Sequence, residues 1–165
     1  AEFDRNFQLT QAVGEAFLRR VRANAGGQVE QVRAEAAGVR TLLKRLQKGG
    51  VVGILPDQQP KAGEGEFAAF FGIQALIMTL LGRLAHRSGA QVLLCWCQRL
   101  PGEGAPRFAL HVEAAPAAVA DADPVRAVQA LNAGVEAVAR RDFAQYQWTY
   151  TRYSLRPPGS GEHSP

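Results

Sequence analysis

Residues 38–60 read GVRTLLKRLQKGGVVGILPDQQP. Val39, Leu42, Leu43 and Leu46 recur at the spacing of one helical face, with Arg40, Lys44, Arg45 and Lys48 on the other. Gly49-Gly50 closes that helix, because glycine takes the left-handed C-cap conformation without a Cβ clash. Val51 to Leu55 is then a continuous apolar run, the pattern of a strand buried on both faces. Pro56-Asp57 ends it. Helix, buried strand and polar loop in that order form the unit of an α/β fold.

The flanking sequence repeats the alternation. Residues 8–24 place Leu9, Val13, Phe17, Leu18 and Val21 on one helical face, and Gly26-Gly27 stops them. Residues 57–66 are a polar loop, followed by FAAFFG at 67–72 and an apolar helix that Gly89 closes. QVLLCWCQ at 91–98 reads as a buried strand, and RFALHVEA at 107–114 alternates as a strand should. Asp123-Pro124 opens a last helix, with Asp123 as N-cap and Pro124 at its first position. Strands are therefore expected at Val51–Leu55, Gln91–Gln98 and Arg107–Glu113, and helices over 8–23, 38–48, 75–88 and 124–141. This pattern predicts one α/β domain over 1–156 with a largely parallel sheet flanked by helices, and a disordered tail over 157–165.

The chain has 165 residues, 47% of them hydrophobic and 21% charged. That is long enough for a real core and close to the globular average, which excludes a disordered chain, a collagen and a disulfide-dense mini-protein. The densest apolar window, Phe67 to Ala85, is interrupted by Gly72, Gln74, Thr79, Gly82 and Arg83 and reads as core rather than a membrane span. Lys and Arg number 19 against 15 Asp and Glu, a formal charge of +4. This favours acidic partners: phospholipid surfaces, acyl carrier protein or nucleic acid. No recognised nucleic-acid motif is present, and nucleic acid is not expected as a partner. Cys95 and Cys97 share one face of a strand and read as reduced core thiols, with no further ligands nearby for zinc.

Asp57 and Gln58 are the sharpest local feature, a carboxylate and an amide at the C-terminal end of a buried strand, where open α/β sheets bind ligands. Asp57 is equally explained as the cap of a turn. Arg19, Arg20 and Arg22 could clamp a phosphate bidentately or form a solvated helix face. Tyr146, Trp148, Tyr150, Arg152, Tyr153 and Arg156 interleave aromatic rings with arginine, a pattern that suits a lipid interface, base stacking or packing on the sheet. His86, His111 and His163 have no carboxylate at a catalytic or zinc-site spacing.

Four stretches together resemble the late acyltransferases of lipid A biosynthesis, the lauroyl/myristoyl transferase family, over about Phe17 to Gly159. They are GVRTLLKRLQKGGVVGILPDQQP, GEGEFAAFFG, MTLLGRLAHRSGA with its following strand, and QYQWTYTRYSLRPPG. The resemblance implies a glycerolphosphate-acyltransferase-like fold. It also implies transfer of a fatty acyl group from acyl carrier protein to a hydroxyl of a lipid A precursor, without a cofactor, at the cytoplasmic face of the bacterial inner membrane. In that family a His-x-x-x-x-Asp/Glu motif supplies the general base and its orienting carboxylate. No histidine precedes His86, so the catalytic pair is not in this sequence. The chain opens Ala-Glu-Phe-Asp-Arg and is expected to be a peripheral piece of a longer, membrane-anchored enzyme, inactive by itself. The alternative is a non-catalytic homologue that binds acyl carrier protein or anionic lipid. The resemblance places Asp57 and Gln58 at the cleft, Arg20 or Arg22 on phosphate or the thioester oxygen, and Phe70, Phe71 and Gly72 in a tight turn that walls the cleft.

Overall fold

A computed structural model describes residue 32, residues 35–150 and residues 152–159. The expected helix over 8–23, with Arg20 and Arg22, lies outside the described residues, as does the tail beyond 159. The chain divides into two compact units, Ala1–Leu42 and Leu43–Pro165. Helix α1 spans Ala36–Gln47, close to the expected 38–48. Gly49 takes φ 77° just beyond it, the left-handed residue foreseen at that stop.

Strands β1 (Gly65–Phe70) and β2 (Ile73–Met78) form an antiparallel hairpin in which Phe70 faces Ile73. Helix α2 (Leu80–Ser88) follows, then β3 (Leu93–Leu100) and β4 (Arg107–Ala114), a second antiparallel pair. After a 3-10 turn at Ala117–Ala120, helix α3 runs Pro124–Arg141, as expected to the residue. Asp123 Oδ1 accepts the Val125 N–H at 3.0 Å and so supplies the predicted N-cap.

The architecture is mixed α/β, built of helices and two small antiparallel sheets. The core gathers Ala68 and Phe70 of β1, Ala75 and Ile77 of β2, Val119, and Val128 and Leu131 of α3. Helix α3 lies against β1, which is why its apolar face is the broadest in the described chain.

Three expectations change. The helix foreseen over 75–88 begins only at Leu80, because residues 73–78 return along β1 as a strand. The reversal is a two-residue loop, Phe71-Gly72, with φ of 49° and 79°. Positive φ at both positions is the hairpin turn whose twist matches the flanking strands. The run Val51–Leu55 is not a paired strand and is not fully buried. No described strand pairs with it, and Val51 is 92% exposed. Strand β3, expected over 91–98, starts two residues later and buries only Leu94. Cys95 and Cys97 are free and exposed rather than core. They share a face with Val112 and Leu110 across the ladder, whereas Leu94 occupies the opposite, inward face.

Candidate functional site

Phe71 is the only non-glycine residue with positive φ among those described. A bulky residue there costs on the order of 1–3 kcal/mol and persists only where its surroundings hold it. Helix α3 provides one hold. The Phe71 N–H donates to Glu136 Oε2 at 2.6 Å, and Arg140 Nε donates to Glu136 Oε1 at 2.9 Å. Aromatic rings provide the other. The Phe71 ring meets Phe70 edge-on at 4.7 Å, lies 5.5 Å from Phe143 and 5.3 Å from Trp148, and carries the Arg140 guanidinium at 4.7 Å.

The two partners of Glu136 stabilise its anion, with the Phe71 N–H the larger influence, and hold its carboxyl below the ordinary 4.5. A carboxyl lowered on folding adds stability that is present above its unfolded value and lost as pH falls through the folded one. The wild-type protein is therefore expected to exceed Glu136→Gln in stability above about pH 4.5, with the gap closing under more acid conditions. Urea unfolding of both proteins across that range measures it. A gap that does not change with pH contradicts the turn-holding role.

Beneath the turn lies a polar knot. Arg152 is 3% exposed, with its guanidinium 3.9 Å from the Phe70 ring centre. It donates to Tyr146 Oη at 3.0 Å and to Asn132 Oδ1 at 3.1 Å. Asn132 in turn donates to the carbonyls of Ala68 and Ala69 at 3.2 and 3.1 Å. A buried cation with neutral acceptors and an aromatic face is tolerable because its donors are used. The knot ties α3, β1 and the C-terminal segment together. Tyr153 adds a further tie, its hydroxyl donating to the Phe70 carbonyl at 2.9 Å.

The polar loop after Leu55 docks on the same segment. The Gln59 backbone N–H donates to Tyr150 Oη at 3.0 Å, its side-chain Nε2 donates to Ser154 Oγ at 2.7 Å, and its side-chain Oε1 accepts the Leu155 N–H at 3.5 Å. Asp57 is half-buried beside these contacts. Burial pushes the Tyr146 phenol above its ordinary 10.0; the Arg152 cation opposes this and the Asp57 carboxylate adds to it, which places the Asp57 charge within reach of Tyr146.

The structure thus brings together three separated stretches singled out in the sequence: loop 56–60, the Phe70-Phe71-Gly72 turn, and the C-terminal Tyr/Trp/Arg segment. Gln59 carries the loop's contacts to the C-terminal segment, while its neighbours Asp57 and Gln58 make no hydrogen bond to other described residues. Phe71 is partly exposed above the turn, and Phe70, 1% exposed, lies behind it in the core. Trp148 is exposed over Phe71, while Arg152 is structural and internal. The sequence alone did not single out Gln59, Asn132, Glu136 or Arg140. Asn132 had a signal: it is the one amide on the apolar face of α3, beside Val128, Leu131 and Val135.

The described histidines lie elsewhere. His86 Nδ1 bonds the Ala120 carbonyl at 3.2 Å, and His111 stacks on Trp96 at 4.9 Å with Nε2 3.1 Å from Gln98 Oε1. No group of three or more potential metal ligands occurs among the described residues.

The sequence model of the family described as bacterial lipid A biosynthesis acyltransferase matches residues 11–154. The chain belongs to that family. The match covers the loop, the turn and nearly all of the C-terminal segment. No curated protein matches this acyltransferase-family chain. No helix among its described residues is long and apolar enough to cross a membrane.

Proposed function

We propose that the chain serves transfer of a fatty acyl group from the thioester of acyl carrier protein to a hydroxyl of a lipid A precursor. The observation that carries this reading is the docking of loop 56–60 and of the Phe71 turn on one C-terminal segment, within a chain matched to the family over residues 11–154. In the reaction a histidine base takes the proton of the attacking hydroxyl. The oxygen adds to the thioester carbonyl to give a tetrahedral oxyanion, whose collapse re-forms the carbonyl as the ester, breaks the C–S bond and releases the carrier's thiolate, which takes the proton back from the histidine. The thioester supplies the activated acyl group, so no cofactor is needed.

Asp57 accepts a hydrogen bond from the acceptor sugar or holds a basic group against its phosphate. Gln58 contacts the same substrate, Phe71 walls the cleft with Phe70 behind it, and Arg20 or Arg22 meets phosphate or the thioester oxygen. The sequence has no His-x-x-x-x-Asp/Glu motif, so the chain by itself binds but does not turn over. It acts as a peripheral protein at the cytoplasmic face of the inner membrane. The same reading includes a glycerolphosphate-acyltransferase-like, largely parallel sheet.

Retention of the purified chain by vesicles holding lipid A precursor, by immobilised acyl carrier protein and by random DNA tests the assignment. Binding to the precursor or the carrier, with none to DNA, is expected. Strong DNA binding with neither of the others overturns it.

A further inference from the structure

A cleft lies between α2 and the start of α3. It has a volume of about 470 Å³ and is lined by Thr79, Arg83, His86, Arg87 and the start of α3 at Asp121–Pro124. Its making is legible in α2. Leu84 and Ala85 bury the inner face, and Gly82 lets the helix approach closely: a Cβ there would stand 2.9 Å from the Val119 carbonyl oxygen and 3.0 Å from Ala127 Cβ. Arg83, His86 and Arg87 are left on the outer face, the two arginines one turn apart.

The donors in this cleft are unspent. Neither Arg83 nor Arg87 has a side-chain hydrogen bond or ion pair with another described residue. Thr79 caps α2 without a side-chain bond. The Ala120 carbonyl can only accept, so His86 spends its Nδ1–H there and is not counted among them. The one carboxylate lining the cleft, Asp121, is already engaged by Arg126 at 3.4 Å and by the Asp123 N–H at 2.9 Å. Two guanidinium groups and a hydroxyl thus face one open space, with the carboxylate at its edge already paired.

We propose that this cleft binds a phosphate group, with Arg83 and Arg87 as its charged donors and the Thr79 hydroxyl as an orienting group. Paired arginines suit phosphate because their fixed N–H forks match its oxygens. The phosphate could be borne by a soluble ester or by a lipid headgroup, and both present the same oxygens to the cleft.

The test uses the whole chain and its Arg83→Gln/Arg87→Gln form, with Arg107→Gln as a control that removes a charge at the β3–β4 loop. Titration calorimetry with phosphopantetheine and with inorganic phosphate reads the soluble source. Sedimentation with phosphatidylglycerol vesicles, against phosphatidylcholine vesicles, reads the lipid source. Loss of two charge-assisted contacts should weaken binding about tenfold or more in the arm that is the true source, with Arg107→Gln near wild type. Binding confined to phosphopantetheine or inorganic phosphate supports a soluble ligand, and binding confined to anionic vesicles supports a headgroup. Equal weakening by Arg107→Gln, or no binding in either arm, overturns the proposal. Both arginines are exposed, so a melting curve should show the double variant folded. Binding is read without turnover, so failure here leaves the acyl-transfer reading intact.

Discussion

Phe70→Ala should destabilise the protein by about 3–5 kcal/mol, the usual cost of emptying a buried phenylalanine site. Phe70 is 1% exposed and is shared by every part of the core near the turn. Its ring meets Phe71 at 4.7 Å, Tyr146 at 5.9 Å and Tyr153 at 6.5 Å. It also supplies the face on which Arg152 rests at 3.9 Å. Truncation removes buried apolar surface and leaves a buried guanidinium over a void, so the transfer and cavity costs add to a desolvation cost. Domains of this kind hold only about 5–15 kcal/mol in total, so the change takes a large share. Denaturant unfolding of Phe70→Ala beside Phe71→Ala provides the measurement. The Phe71 ring is partly exposed, and its loss should cost clearly less. A Phe70→Ala protein that loses under about 1 kcal/mol would remove this ring from the centre of the assembly.

The second large effect is on turnover. The 165-residue chain should transfer acyl groups at least about 10²–10⁴-fold more slowly than a family member that carries the His-x-x-x-x-Asp/Glu motif, since that is the usual contribution of a general base. His86 and His111 cannot stand in for it. His86 is held by the Ala120 carbonyl and His111 by Gln98 and Trp96. Neither has a carboxylate hydrogen-bonded to it among the described residues. Release of free thiol from acyl carrier protein thioester, with and without lipid A precursor, reports the rate. Enzymatic turnover by the chain alone contradicts this expectation and would require a base elsewhere in it.

What the sequence revealed depended on how local the deciding interaction was. Helix α3 was legible to its ends because Asp123 and Pro124 specify an N-terminus within one turn. Strand β3 was legible as an apolar run and β4 from alternation, but the inner and outer faces of β3 were not, since only the position of α3 decides that Leu94 is inside and Cys95 outside. The strand 73–78 was missed because IQALIM fits an apolar helix equally well, and the reversal rests on Phe71 at φ 49°, an unusual residue for that turn. Its stabilisers, Glu136 and Arg140, lie far along the chain. Val51–Leu55 carries the composition of a buried strand, but burial depends on a neighbour, and none of the described strands pairs with it. At the candidate site, Asp57 was legible from its place after an apolar run. That Gln59 rather than Gln58 makes the latch to Tyr150 and Ser154 was not, because only the docked C-terminal segment distinguishes them.

The central claim is that the assembled loop, turn and C-terminal segment present Asp57 to the substrate of an acyl transfer. Its most direct test is kcat/KM for Asp57→Ala, His111→Ala and Cys95→Ser in a protein that joins these residues to the His-x-x-x-x-Asp/Glu motif, with a melting curve for each variant. Losing one charge-assisted hydrogen bond made in the transition state removes about 1.5–3 kcal/mol, or roughly 10- to 100-fold in rate. Asp57→Ala should fall by that factor while melting normally, whereas His111→Ala and Cys95→Ser should change activity only as far as they change stability. An Asp57→Ala protein that folds normally and keeps near-full acyl transfer would contradict the account.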